Sequence, residues 1–563
     1  MSETRSVVSS AKLIAICTLL SRITGLIREM LLAHSFGLRW VLDAFNYGFT
    51  IPNLFRRLLG EGAMAAVFVP TFTQVLEKEG RPAAWRLLAR TLALLSLALV
   101  TIVIVLEAVI LAIWYLAPGG DPAEQASRQL LLWLTALMLP FMLAICIVAL
   151  FAAILNCLGS FVPAALAPVL LNIGMIVGIA WLGPWLRPGD KVGQATVVGW
   201  MVIISGFLQV AVLIPVLRRA GVRLGWSLHF RDPAVKRMLR LLAPVALGQG
   251  VLAVGVFLDA QVCVLLTHKA GTPETISWLG GAVRYPLEEG AWSAITVAQR
   301  LYQFPLGVLV ISLGTAAMPS FARLAARQDW RAWSLEVRQS LRLAIFEGVL
   351  TGTMMFMLAA PIIRLLYQYD RFSAADTARA SWVLTFFGFA MWSFCAQHIV
   401  LRGFYSFHDA RTPLKISAAI LPLNLLLTLV LVWFPSVREA AFAISSAITT
   451  GFAVIISLII FERRTQVRLL DRELGLALGK MAVAGAVCAL TVYFTRPIAG
   501  GLPVGQVTGR LISAFGPLTT GTAAFLAAAW VLGLPEVGLL LPKLRRRKAK
   551  AVQAAPAPAD TEV

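Results

Sequence analysis

The feature that most constrains the fold of this chain is a series of long apolar runs that recur along most of its 563 residues. As a helix, a run of about 20 apolar residues crosses the ~30 Å hydrocarbon core of a bilayer. Because backbone polar groups in lipid must be satisfied internally, such runs predict helices. Only 14% of the residues are charged, against roughly 25% in soluble domains. The sequence therefore predicts an all-α, polytopic membrane protein without a sizeable soluble domain.

Fourteen apolar segments are separated by polar or Pro/Gly-rich breaks, and we predict that each is a transmembrane helix. Several segments exceed the length of a straight crossing, so tilting or kinking must absorb the excess. The predicted spans are residues 10–36, 40–74, 86–116, 127–157, 161–186, 193–217, 237–267, 291–322, 335–367, 376–405, 411–434, 436–461, 473–495 and 511–541.

The distribution of basic residues predicts the topology. The sixth, eighth and twelfth breaks are rich in arginine, whereas the third break, residues 117–127, contains no Lys or Arg. Because basic loops stay on the cytoplasmic side, we predict that both termini lie in the cytoplasm, which requires an even number of helices. The first apolar segment carries Arg22, Arg28 and Glu29, which argues against a cleavable signal peptide.

The net charge of +21 reflects 49 Lys and Arg residues against 28 Asp and Glu residues. Most basic residues lie in the short breaks, and residues 542–563 form a basic tail that we expect to be disordered in the cytoplasm. Anionic membrane lipids, not nucleic acid, are the expected partner of these charges. The six cysteines are scattered singly through apolar stretches, which predicts buried small side chains and no metal site.

A short internal repeat divides the chain. Pro70-Thr-Phe72 closes the second predicted helix, and Pro319-Ser-Phe321 closes the eighth, 249 residues later. The prolines that enter the fifth and eleventh helices are 250 residues apart. Two nearly equal offsets predict two six-helix lobes of the same orientation, residues 1–220 and 221–465, with two added helices at 466–541. Chance matching of short motifs is the alternative.

Ionisable side chains inside the apolar segments are the strongest functional signal, because each costs on the order of 2.5–3.5 kcal/mol at mid-helix. Four arginines have too few nearby acids to neutralise them. Arginine presents a planar fork of donors that fits phosphate oxygens, so they predict a cationic cavity for a pyrophosphate group. The alternative is that they pair with Glu29, Asp43 and Glu61 or lie at the membrane surface. The four arginines are Arg22, Arg28, Arg56 and Arg300.

Helical geometry sorts the polar residues of the second helix. Asn53, Arg57 and Glu61 are spaced four residues apart and form one stripe, so Glu61 can neutralise Arg57. Arg56 points away from this stripe and is therefore the favoured ligand contact of the two neighbouring arginines.

The charges of the first helix do not share one narrow face. Arg22 and Glu29 lie within about 20° of each other, whereas Arg28 lies about 120° from Arg22. Both arginines can therefore meet one ligand only in a wide cavity, or if the helix is distorted near Gly25.

Asp259 is a lone acid in the apolar seventh helix. It is a candidate ligand for a coupling cation, and a carboxyl group hydrogen-bonded within the bundle is the equal alternative. The candidate oxygen donors from later helices are Asn424, Thr428, Ser445 and Thr449. Because the sequence contains no Gly-x4-Gly-Lys-Ser/Thr loop, we expect no ATP-driven step and no cofactor. Coupling to Na+ or to the membrane potential remains open.

Five motifs follow one another along the first twelve predicted helices. They are Ser21-Arg-x-x-Gly-x-x-Arg-Glu29, Asp43-Ala-Phe45, Ile51 to Gly62 with its paired arginines, Arg300-Leu-Tyr-Gln-Phe-Pro305, and Gly403 to Pro413. Together they resemble the MurJ (MviN) family of bacterial lipid II flippases, within the multidrug/oligosaccharidyl-lipid/polysaccharide exporter superfamily. The fourteen helices of that family match the predicted count.

The resemblance implies a transporter of the inner membrane, not an enzyme, with alternating access around a central cationic cavity. The pyrophosphate and sugars of lipid II would occupy the cavity, and its polyprenyl tail would lie in a groove formed by the two added helices. The four arginines named above correspond to the cavity arginines of the family. The residues expected to support the cavity or its gating are Ser21, Gly25, Glu29, Asp43, Asn53, Arg57 and Glu61.

The sequence departs from the family pattern in a few places. Asp259 and Asn424 match a sodium site described in some members, but Thr428 stands where an acid is expected. Glu29 replaces the usual Asp. Residues 268–290, between the seventh and eighth helices, form a longer connection than is typical and suggest no function.

Two rival functions are compatible with a polytopic chain. An exporter of the same architecture could move an O-antigen-type lipid-linked sugar or a cationic drug, although a drug exporter should carry acids in its cavity. A membrane enzyme would need carboxylate pairs or metal-ligand spacing near the surface. An added role as a scaffold among the proteins of the divisome or elongasome also remains open.

Overall fold

A computed structural model describes residues 2–58, 67–116, 121–228, 240, 250, 254–276, 283–500 and 505–540. Within these ranges the chain is helical apart from short connections and two isolated β-bridges. The helices are α1 (Ser2–Phe36), α2 (Trp40–Phe55), α3 (Val69–Lys78), α4 (Gly80–Leu116), α5 (Pro122–Met138), α6 (Phe141–Cys157), α7 (Val162–Val177), α8 (Gly183–Leu186), α9 (Lys191–Arg219), α10 (Val254–Leu265), α11 (Ala291–Pro305), α12 (Ile311–Ala326), α13 (Trp330–Tyr367), α14 (Ala374–Ser406), α15 (Arg411–Leu431), α16 (Ala441–Thr465), α17 (Arg472–Gly500), α18 (Gln506–Val531) and α19 (Glu536–Leu540).

Each of the fourteen predicted segments overlaps at least one of these helices. Among the described residues, ten helices are long and apolar enough to cross a membrane, or eleven if a bent pair counts as one. The prediction of an all-α membrane protein is therefore confirmed, and the exact count of fourteen stays a prediction. Several segments are less regular than predicted. The segment 127–157 contains α5 and α6, the segment 161–186 contains a π-helix, Gly178–Leu182, and the segment 291–322 contains another, Leu306–Val310, after Pro305.

The chain forms two compact units. The first contains residues Met1–Arg300, Leu366–Val383 and Ser417–Ser445, and the second contains Leu301–Leu365, Leu384–Ile416 and Ser446–Val563. The boundaries predicted at residues 220 and 465 remain a prediction. The predicted basic tail, residues 542–563, lies outside the described residues.

In the first unit, residues at the first, third, seventh and ninth breaks between the predicted helices contact one another. Lys269 Nζ, in the seventh break, lies 4.7 Å from the ring centroid of Trp40, which begins α2 after the first break. The indole nitrogen of Trp40 donates to the carbonyl oxygen of Ser127, at the third break, over 2.9 Å. Arg39 pairs across 3.3 Å with Asp376, at the ninth break.

In the second unit, even-numbered breaks contact one another. Asp409 in the tenth break pairs with Arg464 at the start of the twelfth, and Arg338 near the eighth pairs with Asp471 in the twelfth. Contacts between breaks of equal parity are what alternate crossings of a membrane require. They support the alternation that the sequence predicts, without fixing which side is cytoplasmic.

The long connection between α10 and α11 folds back on itself. His268 N donates to the carbonyl oxygen of Leu287 over 2.8 Å, and Ile276 N donates to that of Val283 over 2.7 Å. Ile276 and Leu287 are fully buried. The connection ends at Gly290, immediately before α11. Residues 277–282, within this connection, lie outside the described part.

A buried ion pair fastens the C-terminal helices within the second unit. Arg342 Nε, on α13, donates to Glu536 Oε1, on α19, over 2.7 Å, and the Glu536 side chain is 4% exposed. Arg342 also pairs with Glu473, near the start of α17, over 3.3 Å. These contacts tie α13 to both ends of the α17–α19 segment.

Replacing Arg342 should therefore destabilise the protein strongly. Arg342→Met leaves the Glu536 carboxylate buried without its guanidinium partner, which we expect to cost about 3–5 kcal/mol. Denaturant unfolding of the purified protein in detergent measures this loss. The control is Arg331→Met at the exposed start of α13, which should change stability by less than about 0.5 kcal/mol. Equal losses for the two variants would contradict the assignment.

Candidate functional site

Two arginines and one glutamate form a buried cluster in the first unit. Arg28 and Glu29 are neighbours on α1, and Arg300 lies on α11. Nη2 of Arg28 donates to Oε1 of Glu29, and Nε of Arg300 lies 3.4 Å from the same oxygen. The structure thus brings together two of the four arginines that the sequence singled out and one of the expected supporting residues. We call Arg28, Glu29 and Arg300 the cationic cluster.

The cationic cluster carries one surplus positive charge, because a single carboxylate serves two guanidinium groups. The side chains of Arg28 and Glu29 are each 9% exposed, and that of Arg300 is 37% exposed. In the part of the chain that the structure describes, the Nε groups of both arginines are buried without a hydrogen-bond partner. An anion with several oxygens can accept from such donors, and a low-dielectric interior strengthens its attraction to the surplus charge.

Other helices fix the position of Arg28. Asn172 Oδ1, on α7, accepts from Arg28 Nη1 over 3.0 Å, and the sulfur of Met175 lies 3.8 Å from the same nitrogen. The guanidinium carbon lies 5.8 Å from the ring centroid of Phe49, on α2, within range of a cation–π interaction. Tyr367, at the end of α13, is fully buried within electrostatic reach of the cluster. The Tyr367 hydroxyl has no hydrogen-bond partner among the described residues.

Two other residues of α1 that the sequence singled out lie next to Asn172 of α7. The carbonyl oxygen of Ser21 accepts from Asn172 Nδ2 over 3.1 Å, and a Cβ at Gly25 would lie 3.5 Å from the same nitrogen. Arg22 is half-buried. Because α1 is one continuous helix through Gly25, no helix break separates Arg22 from Arg28.

The polar residues at the end of α2 follow a less regular helix than predicted. From Arg56 to Leu58 the backbone is π-helical, so the spacing of a regular α-helix does not continue through these positions. Arg56 Nε donates to Asn53 Oδ1 over 3.3 Å, and Arg56 is half-buried whereas Arg57 is exposed. Glu61 lies outside the described residues, as does the stripe that it was predicted to complete.

Asp43 joins α2 to the N-terminus of α11. Its Oδ2 accepts from Gly290 N over 2.6 Å, and its Oδ1 accepts from the backbone N and the hydroxyl of Ser293 over 2.8 and 2.7 Å. The carboxylate thereby binds helix N–H groups that have no partner within α11. Gly290 has φ +85, and a Cβ there would lie 2.3 Å from the carbonyl oxygen of Leu38, so the close approach requires glycine.

Ion pairs surround the Asp43 contacts within the same unit. Arg39 lies 3.3 Å from Asp376 and 3.7 Å from Glu289. Arg379 pairs with the buried Glu439, and its Nη1 donates to the carbonyl oxygen of Glu289 over 2.8 Å. We call these ion pairs and the Asp43 hydrogen bonds the closing network, because they hold the ends of α2, α11 and α14 together.

The candidate cation ligands do not all belong to one unit. In the first unit, Thr428 Oγ1 lies 2.7 Å from Ser445 Oγ, and Asn424 Nδ2 donates to the same hydroxyl over 3.4 Å. Asp259, on α10, is half-buried in that unit, whereas Thr449 belongs to the second unit. Among the described residues, no group of three or more His, Cys, Asp and Glu side chains is arranged to hold a metal ion. The assignment of a cation to these residues stays a prediction.

In the second unit, α13, α14 and α17 enclose an apolar groove of about 330 Å³. Small residues form its floor, since a Cβ at Gly352 would lie 2.4 Å from the carbonyl oxygen of Gly388. The resemblance implied a groove formed by the two added helices, but only α17 of these lines this groove, and no described residue of α18 does. Aromatic and small side chains complete the lining, namely Phe356, Phe389, Trp392, Ala482, Ala486 and Ala489.

Sequence reasoning missed two residues beside the cationic cluster. They are Asn172, on α7, and Tyr367, at the end of α13. A buried amide in an apolar helix is a usable signal, because it needs hydrogen-bond partners. Arg28 and Asn172 are 144 residues apart in the sequence, so the sequence does not show that they are partners.

The chain is similar in sequence to known proteins. A family model described as lipid II flippase MurJ matches residues 32–504. A probable lipid II flippase MurJ of Rhizobium tropici is 29% identical over 541 residues, which cover 94% of this chain and 95% of the relative. The lipid II flippase MurJ of Burkholderia cenocepacia is 29% identical over 408 residues, which cover 72% of this chain and 74% of the relative.

Solved structures share the fold. A lipid II flippase MurJ in an inward closed conformation superposes with a TM-score of 0.68 and 18% identity, covering 92% of this chain and 98% of that chain. An inward-facing multidrug resistance MATE family transporter of the MOP superfamily gives a TM-score of 0.62 and 15% identity, covering 81% of this chain and 98% of that chain. The resemblance to this superfamily that the motifs suggested is confirmed.

The closing network predicts unequal effects for two alanine variants. Asp43→Ala leaves the N–H groups of Gly290 and Ser293 without their acceptor, at about 1–3 kcal/mol for each buried group. Ser293→Ala removes a hydroxyl that donates to Asp43 and accepts from Asn46 Nδ2 over 3.1 Å, and it should cost less, about 1–2 kcal/mol. Unfolding of both variants in detergent measures the difference. If Ser293→Ala were as destabilising as Asp43→Ala, the carboxylate would not be the centre of the network.

Proposed function

Because the chain belongs to the lipid II flippase MurJ family, we propose that it carries lipid II, the diphosphate-linked peptidoglycan precursor, from the cytoplasmic to the outer leaflet of the bacterial inner membrane. In this proposal both termini lie in the cytoplasm, and the chain catalyses no chemical reaction. The observation that carries the proposal is the cationic cluster, whose surplus charge sits among apolar helices.

The diphosphate of lipid II is the group best suited to the cationic cluster. Its oxygens accept hydrogen bonds at several positions, and the buried Nε groups of Arg28 and Arg300 supply donors that the described residues leave unused. Arginine stays charged even when buried and holds phosphate in a planar, bidentate geometry. Arg22 and Arg56 are proposed as further contacts along the cavity.

We propose that the closing network takes part in alternating access. In the proposed cycle, the hydrogen bonds of Asp43 to α11 close the outer end of the first unit while the cavity admits lipid II from the cytoplasmic leaflet. Exchanging these bonds for water then opens that end. Such an exchange is feasible because hydrogen bonds in the protein and in water differ by only about 0.5–1.5 kcal/mol each.

The apolar groove is the proposed site of the polyprenyl tail. Its lining is aliphatic and aromatic apart from Thr353, and its walls come from three helices of one unit. Because the tail already lies in lipid, its transfer to the groove removes no apolar surface from water, so the groove serves mainly to orient it.

Two driving forces remain candidates in this proposal. The membrane potential contributes about 2.3 kcal/mol per elementary charge per 100 mV, and Na+ could bind near Asp259. Exchange of labelled lipid II in vesicles, measured with and without Na+ and with and without an imposed potential, separates the two.

The nearest rival function is export of a cationic drug by the same fold, since MATE transporters share it. The cationic cluster disfavours this function, because a cation would be repelled by the surplus charge of Arg28 and Arg300. Export of another diphosphate-linked sugar differs only in the sugar, and competition between purified lipids tests it.

Removing either arginine of the cationic cluster should strongly reduce transport. Arg28→Ala or Arg300→Ala removes charged hydrogen bonds worth about 1.5–3 kcal/mol, which lowers lipid II exchange roughly 10–150-fold in reconstituted vesicles. Arg284→Ala, on an exposed connection, is the control and should exchange at the wild-type rate. Wild-type exchange by Arg28→Ala with normal expression would refute the assignment of the cluster.

Filling the groove should impair transport without touching the cationic cluster. Ala486→Trp places an indole in the groove, so lipid II exchange should fall while binding of a soluble diphosphate analogue is kept. Val483→Trp, on an exposed face of the same helix outside the groove, is the matched control. Equal exchange by both tryptophan variants would show that the groove does not hold the tail.

A further inference from the structure

Asn172 uses its amide to link three groups on α1. Its Oδ1 accepts from Arg28 Nη1 over 3.0 Å, and its Nδ2 donates to Thr24 Oγ1 and to the carbonyl oxygen of Ser21, each over 3.1 Å. The amide orientation is fixed by chemistry, because an arginine can only donate and a backbone carbonyl can only accept. Asn172 is 6% exposed, so these bonds compete with little water.

The contact orients Arg28 without neutralising it. The amide carries no charge, so it holds one end of the guanidinium while leaving the positive charge of Arg28 available. The only acid in the cluster, Glu29, is shared with Arg300. An aspartate at position 172 would instead supply a second carboxylate and cancel the surplus charge.

The close packing of α7 against α1 allows the amide of Asn172 to contact α1. Gly25 has no side chain on this face, and a Cβ there would already be 3.5 Å from Asn172 Nδ2. The Thr24 hydroxyl, which Asn172 contacts, also donates to the carbonyl oxygen of Leu20 over 2.9 Å. Asn172 is thus anchored to a rigid turn of α1 just before Arg28.

We infer that Asn172 is a positioning residue for anion binding, which sets the geometry of Arg28 through a neutral hydrogen bond. It acts through Arg28 and need not touch the cargo. This inference rests on the proposed function, in which Arg28 binds the diphosphate of lipid II.

A double-mutant cycle tests the inference. The dissociation constant for lipid II is measured in detergent for the full-length wild type, Asn172→Leu, Asn172→Asp, Arg28→Ala and the two double variants. We expect Asn172→Leu to weaken binding by about tenfold, the equivalent of one charge-assisted hydrogen bond, and Asn172→Asp to weaken it through its added negative charge. In the Arg28→Ala background, Asn172→Leu should have no further effect, whereas the negative charge of Asn172→Asp should still repel the diphosphate.

A control variant and a second substitution at position 172 distinguish a positioning role of Asn172 from an effect on folding. Gln209→Leu removes another buried amide, on α9, whose Nε2 donates to the carbonyl oxygen of Ser205 in its own helix, and it should bind lipid II like the wild type. Asn172→Asp keeps the size and the acceptor of asparagine, so it tests the charge if Asn172→Leu fails to fold. Melting temperatures of all variants are recorded beside the binding data.

The outcomes distinguish the two proposals. If the wild type does not bind lipid II, or if Arg28→Ala binds it equally well, the proposed function fails. If Arg28→Ala weakens binding but neither change at position 172 does, the positioning role is overturned. It is also overturned if Asn172→Leu still weakens binding in the Arg28→Ala background, because Asn172 would then act independently of Arg28.

Discussion

The sharing of one carboxylate by two guanidinium groups is the interaction on which the rest of the site depends. Without Glu29, the adjacent charges of Arg28 and Arg300 would repel each other in an interior that screens them poorly. With two carboxylates, the cluster would be neutral and would attract no anion. A buried ion pair adds little to stability, because desolvation offsets its attraction, so its arrangement is better explained by binding than by folding.

Helix α11 connects this cluster to the closing network. Ser293 binds Asp43 at one end of the helix, and Arg300 lies seven residues, or about 10 Å, further along the same helix. A regular helix transmits a displacement along its axis with little loss. In the proposed cycle, a movement of α11 that separates Ser293 from Asp43 also moves Arg300 relative to Glu29. Closure of one end and the geometry of the anion site would then be coupled through this helix.

The long apolar runs were enough to predict the membrane helices, because the insertion of a segment into lipid depends on the composition of that segment alone. Charges inside those helices likewise identified Arg28, Glu29, Arg300 and Asp43. The partners were not predictable, since Asp43 and Ser293 are 250 residues apart and only the packing of helices brings them together. The stripe through Asn53 assumed a regular α-helix, whereas a local π-helix alters the spacing of the residues that follow.

In the proposed cycle, the surplus charge gives the membrane potential a role in both halves. With the cytoplasm negative, outward movement of an anionic diphosphate is favoured by about 2.3 kcal/mol per charge per 100 mV. After release, the empty cavity is positive again, and the same field favours its return toward the cytoplasmic side. The membrane potential would not drive the return of a neutral cavity, and it would oppose the return of an acidic one. The neutral amide of Asn172 matters for the same reason, because it supports Arg28 without reducing the charge on which the field acts.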